Sequence, residues 1–365
     1  MLENWLQPLP PAENPWPANT WGEAVTPYSG KASLKAKQVV LLGLDATVAD
    51  ALREALYPLA WPFSDLRLTD LGNVRKQQPE FVIPLIRELL DSQLFPILIG
   101  GKPDMVYAQF QSFLTLRDQV SLVVVDERVP LHPERKRATQ DHYLNTILHN
   151  RRESLFHLGL IGPQAHFTDP DLFPWLAEQN FEYLRLGKAR QDLPEVEPLL
   201  RDADLISFHL DALKRSEAPA QLNPSPSGFF LEEAAQLCRY AGMSDKLRSF
   251  GFYGIDTASK QRLAATAPVL AQLVWYLTEG YYQRKGDYPA NNKGLTEYIV
   301  DLKGHDNKLV FWKSNKSGRW WLQVPAKTSR KLARHRLIPC SYEDYKMACQ
   351  EEVPDRLLNA FKRFP

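Results

Sequence analysis

Eight short apolar runs alternate with amphipathic stretches between residues 38 and 282, and this alternation limits the chain to few folds. Several runs are apolar almost throughout, as strands buried on both faces of a parallel sheet are. Strands that alternate with helical patterns predict an α/β fold with a parallel sheet and right-handed crossovers. The runs begin at Gln38, Leu66, Phe95, Val120, Leu155, Phe181, Asp204 and Leu247.

The two ends of the chain have a different character, which predicts three parts: 1–37, 38–290 and 291–365. The first part is rich in Pro and Trp and reads as an extended arm on the surface. The last part predicts a small α+β appendage of three antiparallel strands, with turns at "GHDN" and "SNKSG". Ser341 is then a helix cap, with Asp344 three residues later. The aromatic residues of this part favour packing between strands over stacking on nucleic-acid bases: Trp312, Trp320 and Trp321.

The bulk composition excludes several classes of protein. Lys plus Arg (44) nearly cancels Asp plus Glu (43) among 365 residues, so charge gives no reason to expect nucleic-acid or membrane partners. The three cysteines have neither metal-ligand spacing nor the pattern of a disulfide framework. No apolar run is long enough to span a membrane, and the first residues do not form a signal peptide. We therefore expect a cytoplasmic protein.

Polar residues cluster where three of the predicted strands end, which is where ligands bind in parallel α/β sheets. His209 and Asp211 are two apart, so on a strand they share one face, as a pair of metal ligands does. Lys214 follows them, where a metal site would favour acids. The complete set at the three strand ends is Gly100, Gly101, Lys102, Pro103, Asp104, Asp126, Glu127, Arg128, Pro130, His209, Asp211 and Lys214.

These strand ends resemble those of the ureohydrolase family, which comprises arginases, agmatinases and formimidoylglutamases. The resemblance also rests on "DLGNV" from Asp70, "PSGFFLEE" from Pro226, and the Ser-x-ligand-x-Asp…Ala-Pro frame from Ser207 to Pro219. Tyr107 and "ATQDHYLNTIL" look most like the formimidoylglutamase branch. The resemblance implies a three-layer αβα sandwich with a mostly parallel eight-stranded sheet. It also implies two Mn²⁺ ions at the strand ends, which activate a hydroxide that attacks a guanidinium or formimino carbon.

The metal ligands that the resemblance implies are mostly missing from this sequence. Asp126 and Asp211 match ligand carboxylates, and His209 stands where the family has Asp. The other ligand positions carry Pro103, Arg128 and Pro130, and a further family Asp is Lys214. A guanidinium about 4 Å from a dication costs roughly 8 kcal/mol at an effective dielectric constant of 20. If Arg128 points into the site, a dimanganese centre does not form.

Three arrangements of this degenerate site are open. Arg128, with Lys214, could pair with Asp126 and Asp211 and leave a metal-free polar pocket. Alternatively, Arg128 points to solvent and the two acids cap backbone groups, or Asp126, His209 and Asp211 form a weak mononuclear site. We expect no cofactor under the first arrangement and Mn²⁺ if the protein is an active hydrolase. The resemblance also suggests two candidate catalytic residues, His142 (with His149 as its alternative) and Asp256.

Three functions compete on this evidence. The first is an inactive ureohydrolase homologue whose pocket or surface binds an unidentified small molecule or protein partner. The second is an active hydrolase of a linear amidine or guanidine that uses one metal, or His209, Glu127 or His142 as general base. The third is an interaction protein that acts through its arm and appendage. A homo-oligomer is compatible with all three.

Overall fold

The computed structural model describes residues 2–10, 15–30, 34–116, 119–135, 139–288, 293–301, 308–325 and 332–364. Within these residues all eight predicted strands are present in one large sheet, which confirms the predicted α/β fold. They are β3 (Val39–Gly43), β4 (Leu68–Val74), β5 (Phe95–Ile99), β6 (Val120–Val125), β7 (Leu155–Ile161), β8 (Glu182–Leu184), β9 (Leu205–His209) and β10 (Ser249–Tyr253).

The large sheet has ten strands rather than eight, because the N-terminal arm adds two short ones. These are β1 (Leu6–Gln7), antiparallel to β4, and β2 (Thr26–Pro27), parallel to it. The strand order is β1-β4-β3-β5-β10-β9-β6-β7-β8, and every pair except β1–β4 is parallel. The carboxyl ends of β5, β6 and β9 therefore lie on one edge, where the candidate residues meet.

Helices cover both faces of the sheet and make three layers. On one face α2 (Ala46–Leu56), α9 (Leu231–Gly242) and α10 (Lys260–Tyr282) pack together. The short helices α7 (Leu186–Gln191) and α8 (Glu197–Arg201) lie on the same face, whereas the other layer contains α3 (Pro79–Asp91), α4 (Met105–Gln111), α5 (Asn145–Asn150) and α6 (Leu172–Glu178).

Successive residues of the central strands point to opposite faces of the sheet. In β3, Val39 and Leu41 belong to one core cluster, whereas Val40 and Leu42 belong to the other. A strand that must fill two cores has no polar face, which explains why its sequence is apolar throughout.

The N-terminal arm is anchored in the core rather than lying on the surface as expected. Helix α1 (Trp21–Ala24) buries Trp21 completely, and its ring contacts Trp61 edge to face at 5.0 Å. Thr20 caps this helix through the amide of Glu23. Burying a Trp side chain contributes enough apolar area to hold such a short segment in place.

The C-terminal unit, residues 293–364, forms a four-stranded antiparallel sheet rather than the three-stranded one predicted. Its strands are β11 (Leu295–Asp301), β12 (Lys308–Ser314), β13 (Trp320–Gln323) and β14 (Leu337–Cys340). β14 escapes prediction because it has four residues and contains a proline. The predicted "SNKSG" turn joins β12 and β13, whereas "GHDN" lies outside the described residues.

Two helices follow the small sheet, α11 (Tyr342–Cys349) and α12 (Asp355–Phe361). Ser341 caps α11 with Asp344 in a capping box, which confirms that prediction. Trp312, Trp320 and Trp321 are all buried, as packing between strands requires. No helix in the described part of the chain is long and apolar enough to cross a membrane.

Candidate functional site

The turn after β5 is shaped by two glycines. Gly100 and Gly101 have φ values of +79° and +91°, which side-chain-bearing residues rarely adopt. A Cβ on Gly100 would lie 2.9 Å from the Cβ of Asp45. The turn exposes Lys102 and buries Pro103, so the position of the family's ligand imidazole is filled by an apolar ring.

Asp126 follows β6 and is held by a tyrosine from a distant segment. The Tyr143 hydroxyl donates to Asp126 Oδ2 at 2.7 Å, and the Arg128 amide lies 3.4 Å from Oδ1. Burial raises the pKa of Asp126 to about 7, and the charge of Asp211 adds to this rise. Asp126 is therefore a buried carboxyl whose partner is a phenol.

Among the described residues, the Arg128 side chain does not form an ion pair with Asp126 or Asp211, unlike in the first of the three arrangements. Its Nε lies 3.2 Å from Glu127 Oε1, and its guanidinium stacks over Phe167 at 4.8 Å. Lys214 lies over the Phe230 ring at 3.6 Å. No side-chain ion pair among the described residues joins either cation to Asp126 or Asp211.

The burial of the Glu127 side chain explains why Arg128 pairs with it. It has no exposed surface, and its Oε2 atom has no hydrogen-bond partner among the described residues. Burial raises the pKa of Glu127 to about 8, with a further contribution from Asp211. A carboxyl this deeply buried needs a neighbouring cation more than Asp126 or Asp211 does, because neutral donors satisfy those two.

His209 is enclosed by aromatic rings at the end of β9. Its Nε2 atom lies 2.9 Å from Ser207 Oγ, and its ring stacks on Tyr143 at 4.4 Å with an interplanar angle of 17°. Tyr253 contacts the ring at 5.7 Å. Burial lowers the pKa of His209 to about 3, so the imidazole is neutral and a weak base.

Ser207, His209 and Asp126 are the three residue types of a nucleophilic triad, but their geometry does not support that chemistry. His209 Nδ1 lies 3.9 Å from Asp126 Oδ2, which is beyond hydrogen-bond reach. Ser207 has no exposed surface, and His209 is 2% exposed. A substrate therefore has no access to the serine hydroxyl.

Asp211 lies in the short 3₁₀ turn after β9, where one asparagine satisfies both of its oxygens. The Asn223 amide donates to Oδ1 at 3.1 Å and Asn223 Nδ2 donates to Oδ2 at 3.0 Å. Burial raises the pKa of Asp211 despite these bonds. Asp211 thus caps backbone, as one of the alternatives expects.

The candidate catalytic residues do not converge on this cluster. His142 Nδ1 lies 3.1 Å from Thr139 Oγ1, and His149 Nε2 lies 2.9 Å from the Arg135 carbonyl. Asp256 pairs with Arg262 at 2.6 Å and accepts from the Ala258 amide. No contact in the described residues joins His142 or Asp256 to Asp126, His209 or Asp211.

The residues at these strand ends do not fit the metal centre that the ureohydrolase resemblance implies. Mn²⁺ favours about six O or N donors. In the part of the chain that the structure describes, no three His, Cys, Asp or Glu side chains are arranged to hold a metal ion. The three residues of the alternative mononuclear site, Asp126, His209 and Asp211, are each bonded to a protein partner.

A cavity of about 510 Å³ opens beside the cluster. Its walls include Asp45, Lys102, Pro103, Gln140 and Thr257. Among the described residues, the lining contains none of Asp126, His209 and Asp211. A molecule in this cavity would contact the Lys102 turn rather than the buried acids.

Sequence analysis missed the roles of Tyr143 and Asn223. Neither lies at a strand end, and each reaches its carboxyl across more than ten residues of chain. Ser207 could have been recognised as a partner of His209, since residues two apart on a strand share a face.

The comparisons with known proteins agree with this architecture. The model of the arginase family matches residues 46–279, whereas no curated protein matches the sequence. The structure of Trypanosoma cruzi formiminoglutamase with Mn²⁺ is similar, with a TM-score of 0.61, 16% identity, and coverage of 70% of this chain and 97% of that one.

Two further solved structures resemble the chain. Formimidoylglutamase from Bacillus subtilis aligns with a TM-score of 0.64 and 15% identity, over 76% of this chain and 97% of that one. Proclavaminate amidino hydrolase from Streptomyces clavuligerus aligns with a TM-score of 0.56 and 15% identity, over 69% and 94%. Since the family model covers well over half of the sequence, this chain belongs to the arginase family.

Proposed function

We propose that this protein is a catalytically inactive member of the arginase family that binds a small molecule or protein partner without a metal. One observation carries the proposal: each retained ligand position is hydrogen-bonded to a protein group. Tyr143 bonds Asp126 and stacks on His209, Ser207 bonds His209, and Asn223 bonds both oxygens of Asp211.

The electrostatics of the cluster support the proposal. The pKa of Asp126 is raised to about 7 and that of Glu127 to about 8, in both cases chiefly by burial. Burial thus disfavours the charged form of these carboxyls, which is the form that a metal ligand must take. The nearest fixed cation, Arg128, stays with Glu127 and cannot lose its proton.

The competing function, hydrolysis of a linear amidine or guanidine, needs a base that the site does not supply. His209 has a pKa lowered to about 3, and Glu127 has no exposed surface with which to contact a substrate. His142 is hydrogen-bonded to Thr139, and burial lowers its pKa. Efficient general bases titrate near the working pH and contact the reacting group.

The binding role is assigned to the cavity beside the cluster. Its volume of about 510 Å³ suits a small molecule, and it combines the Lys102 cation with amide and hydroxyl groups of Gln140 and Thr257. Among the described residues, the retained acids Asp126 and Asp211 do not line it; its carboxylates are Asp45 and Asp104. A partner that inserts a side chain into the cavity is the second form of the same proposal.

Hydrolysis assays test the loss of activity. Protein purified in the presence of Mn²⁺ is incubated with formiminoglutamate, arginine and agmatine, and an authentic formiminoglutamase serves as positive control. We expect no turnover above the blank. An Asp126→Asn variant purified in parallel shows how much activity a contaminating enzyme contributes. Turnover by the wild type that this variant lacks would overturn the proposal.

A further inference from the structure

The short turn Ala333–His335 is one of the contacts that join the C-terminal unit to the α/β domain, beside the bonds from Arg201 to the Trp320 and Cys340 carbonyls. Arg334 in this turn forms two hydrogen bonds with Asp204, from Nη1 to Oδ1 and from Nη2 to Oδ2, both at 2.7 Å. Its Nη2 atom also donates to the Gln119 carbonyl at 2.6 Å. Paired, planar contacts of this kind fix both position and orientation.

The next residue, His335, is inserted into the domain as if it were an apolar ring. It is 1% exposed and stacks on Phe156 of β7, with ring centroids 3.8 Å apart and an interplanar angle of 20°. Neither ring nitrogen has a hydrogen bond of normal geometry among the described residues, although an interaction with the Gln119 backbone raises the pKa of the ring and opposes the effect of burial. A neutral imidazole tolerates this environment, whereas an imidazolium with two unsatisfied donors would be costly to bury.

The charged groups that face His335 oppose a further positive charge. They are Lys246, Arg334 and His157, and the backbone of Gln119 also faces the ring. Burial, followed by the charges of Lys246 and Arg334, holds the pKa of His335 well below its usual value. His157 is equally buried, with Arg363, Glu182 and Asp202 around it.

The carboxylates nearby already have cationic partners. Asp202 pairs with Lys246 at 2.7 Å, and Asp204 pairs with Arg334. Glu182 lies 3.5 Å from Arg363 and 3.6 Å from His157. Protonated His335 would therefore find no unpaired carboxylate among these three.

We propose that the docking of the C-terminal unit on the α/β domain is acid-sensitive, with His335 as the group whose protonation releases it. Undocked, His335 is solvated and has the ordinary pKa of about 6.5. Because its docked pKa is lower, docking is fully stable above pH 6.5 and weakens as the pH falls below that value. Because one proton is taken up when the unit undocks, the docking equilibrium constant falls by at most about tenfold for each pH unit.

Hydrogen exchange of the full-length protein between pH 7.5 and 5 tests the proposal. Peptides from β13, β14 and the Ala333–His335 turn report docking, and those from β3 and β6 are an internal reference. All rates are divided by the intrinsic chemical rate at each pH. We expect protection of the docking peptides to fall about 30-fold relative to the reference between pH 7.5 and 5, with most of the fall below pH 6.5, as linkage implies. Unchanged relative protection in the wild type would overturn the proposal.

The His335→Phe variant separates His335 from other titrating groups. Phenylalanine can keep the stack on Phe156 but cannot gain a proton, so relative protection should not change with pH. His166→Gln, which alters an exposed histidine, is the matched control and should behave like the wild type. If the His335→Phe protein retains the wild-type pH dependence, the sensor is another group and the proposal fails. His335→Leu makes the same test if the Phe variant does not fold.

Discussion

Replacing Tyr143 by alanine is expected to lower the free energy of unfolding by about 3–5 kcal/mol, the usual cost of removing a large buried aromatic ring. Tyr143 is 3% exposed, stacks on His209 and donates its hydroxyl to Asp126. Its loss leaves a cavity and an unsatisfied buried carboxyl. Urea unfolding of the variant, compared with the wild type at pH 7, measures the effect.

Tyr143→Phe is the matched control, because it keeps the ring and removes the donor. We expect it to cost about 1–3 kcal/mol, as for a buried group left without its partner. If Tyr143→Ala proves as stable as the wild type, Tyr143 does not hold the strand-end cluster together, and the main support for the proposed metal-free site is lost.

Asp204→Ala should have an equally large effect at the junction with the C-terminal unit. The Asp204 side chain is 2% exposed, pairs with Arg334 and accepts from the Ser121 amide at 2.9 Å. Removing one member of a buried, hydrogen-bonded ion pair typically costs about 3–5 kcal/mol. Denaturant unfolding monitored by tryptophan fluorescence is the measurement.

The exposed pair Lys308–Asp301 provides a control within the same C-terminal unit. Its side chains are 65% and 73% exposed, and the two charges lie 3.4 Å apart. Lys308→Met should leave the unfolding midpoint unchanged, since water screens such pairs. Equal losses in Asp204→Ala and Lys308→Met would show that burial does not set the strength of the junction.

Most of the fold could be predicted because strands that are buried on both faces have sequences that are apolar throughout. The continuous apolar runs of β3 and β6 are explained by two cores that draw on alternate residues. β1 and β2 have no such apolar run, since each has two residues and is defined by pairing with β4. β14 was not predicted because it is short and contains Pro339.

The position of the candidate site could be predicted, but the hydrogen-bond partners of its residues could not. Asp126, His209 and Asp211 follow strands whose ends are visible in the sequence, so their neighbourhood could be inferred. Their partners could not, because Tyr143 and Asn223 approach through tertiary contacts. Arg128 pairs with Glu127, whose carboxyl is completely buried. The burial of one charged residue cannot be deduced from the sequence, so this pair could not be predicted.

The most direct test of the metal-free site is the metal content of the full-length protein. Elemental analysis is done on protein purified without chelator, and repeated after dialysis against Mn²⁺ and removal of unbound ions by gel filtration. We predict no retained Mn²⁺ in either sample, because protein groups occupy the bonding positions of Asp126, His209 and Asp211. About two Mn²⁺ per chain would contradict the proposal and restore hydrolysis as the function, and about one would point to a mononuclear site on these three residues.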